Sequence, residues 1–250
     1  MKGKVRSMLQ QASRQKRNRL AYANVLLGVA CLIAMMPRNS LAETSQCFGT
    51  TAKGRLEGGV RLPISGDNFT SYSLLAHVAD RTYVHSRVRD VMMAAWKSLK
   101  LNHPDKVFKY AETGHKAGGP FPPHKTHQNG LSVDFMTPVL NADGESDTLP
   151  THALNRLGYD IEFDSSDQAD GYRIDYDALA AHLVALHKAA KTEGIDIWRV
   201  IFDPHLQPKL LRTQDGRYLK KHLTFSTRRS WVRHDEHYHV DFRVPCKVMD

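Results

Sequence analysis

No internal repeat and no low-complexity tract interrupts the 250 residues, which removes solenoids and biased tails from consideration. Acidic residues are missing altogether from positions 1–42, where eight Lys or Arg stand: Lys2, Lys4, Arg6, Arg14, Lys16, Arg17, Arg19 and Arg38. The chain carries 35 basic and 26 acidic residues, so residues 43–250 hold 27 against 26, a net of +1 that is close to neutral. A basic groove for nucleic acid needs a surplus of positive charge on the folded part, and that function class is disfavoured. Long apolar runs are scarce too. The main one, Ala21 to Met36, falls short of the ~20 residues of a comfortable spanning helix.

That run has a charged stretch before it and Ser40-Leu41-Ala42 after it. The order predicts a secretory signal peptide over 1–42, cleaved after Ala42, and a periplasmic protein. An uncleaved membrane anchor is the alternative, because the basic region is long for a signal; only then would the membrane be a partner. Cysteine is the next scarcity, with three in all. Cys31 lies inside the apolar run with more apolar residues after it, a poor fit to a lipoprotein attachment site. Cys47 and Cys246 remain, one near each end of the mature chain. In an oxidising compartment they can bridge and close the termini over the domain. Two unrelated thiols are the other reading, since sequence does not give their geometry.

The balance of 41% hydrophobic and 24% charged residues is that of a globular protein, and residues 43–250 suffice for one sizeable core. Residues 43–72 are rich in Gly, Ser and Thr and read as an irregular lead-in. Val84, Val88, Val91, Met92, Ala95 and Leu99 mark one face of a helix over Val84–Leu99, ended by Asn102-His103-Pro104. Strands are predicted at Lys106–Ala111, Leu131–Met136, Asp196–Phe202 and His237–Val244. A second helix is predicted at Tyr176–Lys191, with Gly194 beside its C-cap. Residues 141–172, dense in acids and turn formers, read as a long surface excursion. Helices and strands mixed without regular βαβ alternation predict an α+β fold.

Two segments carry the chemistry: Gly118-Gly119-Pro120-Phe121-Pro122-Pro123-His124 through His127-Gln128-Asn129-Gly130 to Asp134, and His234-Asp235-Glu236-His237-Tyr238-His239. Imidazole and carboxylate suit a divalent zinc ion, and a catalytic site takes three protein ligands with one position open. Asn129-Gly130 is a turn signal that can fold the chain between His127 and the strand bearing Asp134. His237 and His239, two apart on a strand, share a face. A solvated loop histidine and a locally bonded aspartate are the ordinary readings of such residues taken singly. The two clusters together are harder to dismiss.

The segments resemble the penicillin-insensitive murein endopeptidases, within the wider group of lysostaphin-type and D-alanyl-D-alanine metallopeptidases. His127 and Asp134 match the group's His-(six residues)-Asp motif, and His237/His239 its His-x-His. The narrower His-x-x-His-Gln-x-Gly-Leu-x-Val-Asp runs from His124 to Asp134, and His-x-x-His-x-His-Val from His234 to Val240. Arg199-Val200-Ile201-Phe202-Asp203-Pro204 resembles the strand before the last motif, and the likeness covers roughly 45–246.

The resemblance implies a small antiparallel sheet carrying a zinc site, flanked by helices, with Zn2+ held by His127, Asp134 and His239. It implies His237 as the base acting on the attacking water, and His124 and His234 as lining residues that stabilise the oxyanion or bind substrate; His124 could also serve a second metal. The implied partner is peptidoglycan and the implied reaction is hydrolysis of its D-alanyl-to-diaminopimelate cross-links. Two features depart from the pattern. Glu236 stands three before His239, where some D-alanyl-D-alanine peptidases keep their catalytic Glu, and simple strand alternation turns it away from the His237/His239 face. Pro122-Pro123 replaces a more Gly-rich lead-in. The alternatives are therefore a D,D-carboxypeptidase or dipeptidase of the same group, and a zinc-stabilised murein-binding module without catalysis.

Overall fold

The computed structural model describes residues 44–228, 230 and 232–249; the predicted leader and its cleavage after Ala42 lie outside them. Along the described residues run strands β1 (Gln46–Gly49), β2 (Gly54–Glu57), β3 (Val60–Arg61) and β4 (Phe69–Ser71), helix α1 (Leu74–Val78), β5 (Tyr83–Val84), α2 (Ser86–Asn102) and β6 (Phe108–Tyr110). Then come β7 (Ser132–Met136), β8 (Pro138–Leu140), β9 (Ser146–Thr148), a 3-10 segment (Ala153–Gly158), β10 (Gln168–Ala169), β11 (Tyr172–Ile174) and α3 (Tyr176–Thr192). β12 (Asp196–Ile201), α4 (Gln207–Leu210), α5 (Gly216–His222) and β13 (His237–Arg243) complete the order. The fold is α+β, and among the described residues no helix is long and apolar enough to cross a membrane.

Five strands form the central sheet in the order β12-β13-β7-β6-β4, antiparallel except for the parallel β4/β6 pair at one edge. Its two faces are sorted by period-2 alternation. Val133 and Phe135 of β7 share the helix-covered face with Tyr238, Val240 and Phe242 of β13, all buried. Trp96 of α2 stacks on Phe69 at 3.8 Å, and His182 of α3 stands edge-on to Phe135 at 4.7 Å, so both helices press on that face. The opposite face carries Ser132 and Asp134 from β7 and His237, His239 and Asp241 from β13.

The two long helices are fixed by local chemistry as well as by their apolar stripes. The His85 ring accepts the Arg87 N–H at the start of α2, which ends before Pro104. The Asp175 carboxylate accepts the Ala178 N–H at the start of α3. Gly194, at φ +64°, provides the left-handed residue just past its end. The predicted helices and strands differ from these elements by no more than three residues at any end.

Two expectations need correction. The lead-in at 43–72 is not irregular: it holds the β1–β2 hairpin, β3 and the sheet-edge strand β4, with Cys47, Leu56, Leu62 and Phe69 buried. Strands of two to four residues are too short for periodicity to show. Nor is 141–172 merely a surface excursion. β9, β10 and β11 join β8 in a second sheet of order β10-β11-β8-β9, anchored by buried Leu149, Ile161 and Phe163. Single apolar anchors among acids and turn formers leave no pattern to read.

Candidate metal centre and active-site cleft

The cleft is built from the register of β7 against β13. His239 stands directly opposite Asp134, and Asp241 opposite Ser132. His239 Nδ1 lies 2.8 Å from Asp134 Oδ1, while its Nε2 lies 2.8 Å from Asp241 Oδ1. Asp241, wholly buried, also accepts the Ser132 hydroxyl at 2.6 Å and the Arg199 Nε–H at 2.6 Å. With a carboxylate on either side, His239 is raised to about 10 although burial opposes its charge, and Asp241 is held below the usual carboxylate range by His239.

His127 reaches the same carboxylate from the loop before β7. Its backbone is left-handed, φ +70°, and the Asn129-Gly130 turn that follows brings the chain back to the sheet. Only glycine fits at 130, because φ is +75° and a Cβ there would stand 2.7 Å from the His85 backbone nitrogen. The fully buried His127 ring donates Nδ1–H to the Thr113 carbonyl at 3.1 Å, which leaves Nε2 without a proton. Among the described residues that Nε2 has no hydrogen-bond partner, and it faces Asp134 Oδ1 at 3.4 Å. Burial pushes its pKa down and so favours the uncharged ring.

His124, half-buried, completes one wall. Its Nε2 bonds Glu112, and its Nδ1 lies 3.6 Å from Asp134 Oδ2. Burial works against its charge, but Glu112 and Asp134 raise its pKa above the ordinary value. Glu112 in turn bonds Arg81 and accepts the Tyr72 hydroxyl at 2.8 Å; despite burial, His124 and Arg81 bring it down to about 2. Histidine and carboxylate atoms from His124, His127 and Asp134 all lie within 4.8 Å of one another, a grouping that can hold a metal ion. The bare buried Nε2 of His127 beside a buried carboxylate, with oriented imidazoles around it, fits a zinc-type donor set.

His237 and His234 form the second wall, their rings 4.5 Å apart. The His237 Nδ1 lies 2.6 Å from Glu236 Oε1, leaving Nε2 for the cleft. Burial pushes His237 down to about 4 and Glu236 up to about 8. Glu236 is thus not turned away as strand alternation suggested. It precedes the first residue of β13, escapes the alternation, and lines the cleft beside His237. His234, left-handed at φ +61°, donates Nδ1–H to the Val232 carbonyl at 3.0 Å and is pushed down to about 3 by burial. A neutral His234 with its proton committed there offers an acceptor to the cleft, which suits substrate binding rather than oxyanion stabilisation.

The cleft has a volume of 380 Å³. Beyond the residues expected from sequence, it is lined by Glu112, Tyr159, Arg199 and Ile201. Tyr159 donates its hydroxyl to Asp134 Oδ2 at 3.3 Å, and burial keeps the phenol protonated. Asp241 extends His-x-His to His-x-His-x-Asp and was findable by strand period. Glu112 and Tyr159 had no such signal, the first lying just past a short strand and the second inside the acid-rich segment. Pro123 also lines the cleft, and the Pro122–Pro123 peptide is cis.

Cys47 and Cys246 are joined in a disulfide spanning 199 residues. Comparison with individually curated proteins returned no match. The profile of the penicillin-insensitive murein endopeptidases matches residues 47–249, nearly the whole described chain, and with both of its histidine segments in one cleft this protein belongs to that family of peptidases acting on the bacterial cell wall.

Proposed function

We propose that this protein is a zinc-dependent endopeptidase, exported to the periplasm by a cleaved signal peptide, that hydrolyses the D-alanyl-to-meso-diaminopimelate cross-links of peptidoglycan. The observation that carries the reading is the convergence of His127 Nε2, which has no partner, and His239 Nδ1 on Asp134 Oδ1. We assign these three atoms as the ligand set. His239 favours this set over His124 as third ligand, because Asp241 accepts from its Nε2, so the proton that its Nδ1 shares with Asp134 is the one a cation would displace. His124 faces the other oxygen, Asp134 Oδ2, and is engaged by Glu112.

When bound, zinc supplies Lewis-acid polarisation of the scissile carbonyl and activates a water as nucleophile at neutral pH. His237 Nε2 takes the proton of the attacking water and returns it to the leaving amine, with Glu236 holding the ring by its Nδ1. His124, whose protonated form Glu112 and Asp134 favour, and the Tyr159 hydroxyl, which would turn from Asp134 Oδ2, are the donors for the developing oxyanion. His234 accepts from a substrate N–H.

His127→Ala should abolish both metal uptake and cleavage of purified cross-linked muropeptide dimers, followed by metal analysis and mass spectrometry. Unchanged cleavage by the pure variant would overturn the proposal. The position of Glu236 in the cleft supports one further reading, a D,D-carboxypeptidase. Release of terminal D-alanine from free pentapeptides with dimers left intact would select it. Tight binding to sacculi without turnover at any pH would instead indicate a wall-binding module.

A further inference from the structure

Both substrate readings share one chemical group. In a D-alanyl-diaminopimelate cross-link, as in a terminal D-alanyl-D-alanine, the carbon next to the scissile nitrogen carries a free carboxylate. Resting on the proposed peptidase reading, we propose that Arg199 is the specificity determinant for that carboxylate.

Arg199 sits on β12 opposite Asp241, and Ile201 on the same strand stands opposite His239. Arg199 is therefore displaced from the Asp134–His239 row by two residues along the sheet, roughly 7 Å. A carboxylate a few bonds beyond a carbonyl held at that row falls within reach of its guanidinium. The Arg199 side chain lines the cleft and is about one-third exposed.

Its orientation is fixed from two sides. The Nε–H bonds Asp241 Oδ2 at 2.6 Å, and the guanidinium carbon lies 4.6 Å from the centre of the Trp198 ring. Among the described residues neither terminal nitrogen has a protein hydrogen-bond partner, so a planar pair of donors is presented already oriented. That geometry matches a carboxylate in bidentate fashion.

Among the described residues, the two other Lys or Arg side chains lining the cleft are worse placed. Lys125 is exposed, and Arg156 has a largely exposed side chain whose Nη1 pairs with Asp160 at 3.4 Å. The cleft's own acids do not compete for Arg199 either. Glu112 is engaged by Arg81 and His124, Asp134 by the histidines, and Glu236 by His237.

The test uses metal-replete protein and two synthetic cross-linked peptides, one with the free carboxylate beside the scissile bond and one with it amidated. The ratio of their kcat/KM values is the readout, so a general loss of activity through the Asp241 contact cancels. The unaltered enzyme should prefer the acid by about a hundredfold, Arg199→Gln should bring the ratio near one, and Arg199→Lys should keep an intermediate preference. A ratio unchanged in Arg199→Gln overturns the inference, as does an unaltered enzyme indifferent to amidation, while the peptidase reading survives both. Failure of the unaltered enzyme to cleave either peptide, or any murein dimer, overturns that reading and the inference with it.

Discussion

Asp241 never touches the cleft's reacting position on this reading, yet it determines which nitrogen of His239 is offered there. Asp241→Asn removes the charge that accepts from His239 Nε2, Ser132 and Arg199 together. Metal affinity should fall roughly 10–100-fold in a chelator competition while the fold persists by circular dichroism. An unchanged affinity would show that the carboxylate does not orient the ligand. Tyr159→Phe separates a transition-state role from a structural one. Its hydroxyl bonds Asp134 at 3.3 Å and stays protonated through burial, so kcat should drop about tenfold or more with metal content intact. Loss of metal instead would reassign Tyr159 as support for Asp134. At this scale the sequence exposed the residues that sit in motifs, marked Arg199 only as part of a strand, and concealed Glu112 and Tyr159; these three owe their place to separate segments.

Helices α2 and α3 hold the sheet whose far face is the site, and their packing sets how firmly β7 and β13 keep register. Trp96 is almost wholly buried against Phe69 and Tyr110, and Trp96→Ala should cost about 3–5 kcal/mol in urea unfolding. A loss below about 1 kcal/mol would mean that the site-bearing sheet does not depend on this contact. On α3, His182 is sealed between Phe108 and Phe135 and bonded to the Tyr238 hydroxyl. Burial lowers it from an ordinary 6.5 to about 3 in the folded protein. Between those values the unfolded chain binds a proton that the folded chain does not. Stability present above pH 6.5 is therefore lost as pH falls toward 3, at up to ~1.4 kcal/mol per pH unit for this one group. Thermal melts across that window should show a shallower decline in His182→Phe than in the parent. Parallel curves would exclude His182 as a source of acid sensitivity. The long helices were legible because their apolar stripes run through several turns; the short strands were not.

For the described part of the molecule, the disulfide joins β1 to the segment after β13, and Asn129 of the turn following His127 points its amide at Cys246 Sγ, 3.7 Å away. Closing so long a loop restricts the unfolded chain by up to about 5 kcal/mol on chain-entropy grounds. The paired change Cys47→Ser and Cys246→Ser should lower the melting temperature clearly and leave activity per folded molecule largely intact below it. A melting temperature equal to the parent's would mean the bond adds nothing beyond the β1–β2 hairpin and its backbone contacts.

Sequence by itself determined the α+β class, the long helices, the two histidine segments and the cysteine pair as a candidate bridge, because each is written as local spacing or residue type. Tertiary structure decided that both segments enter one cleft, that His127 keeps a bare nitrogen, and that Glu236 stands beside His237 rather than behind it. It also brought Tyr159 out of an acid-rich segment and Arg199 off a neighbouring strand to the same cavity. The physical reason is that a site of this kind is assembled across strand register. Register depends on packing between distant parts of the chain, and no local pattern records it.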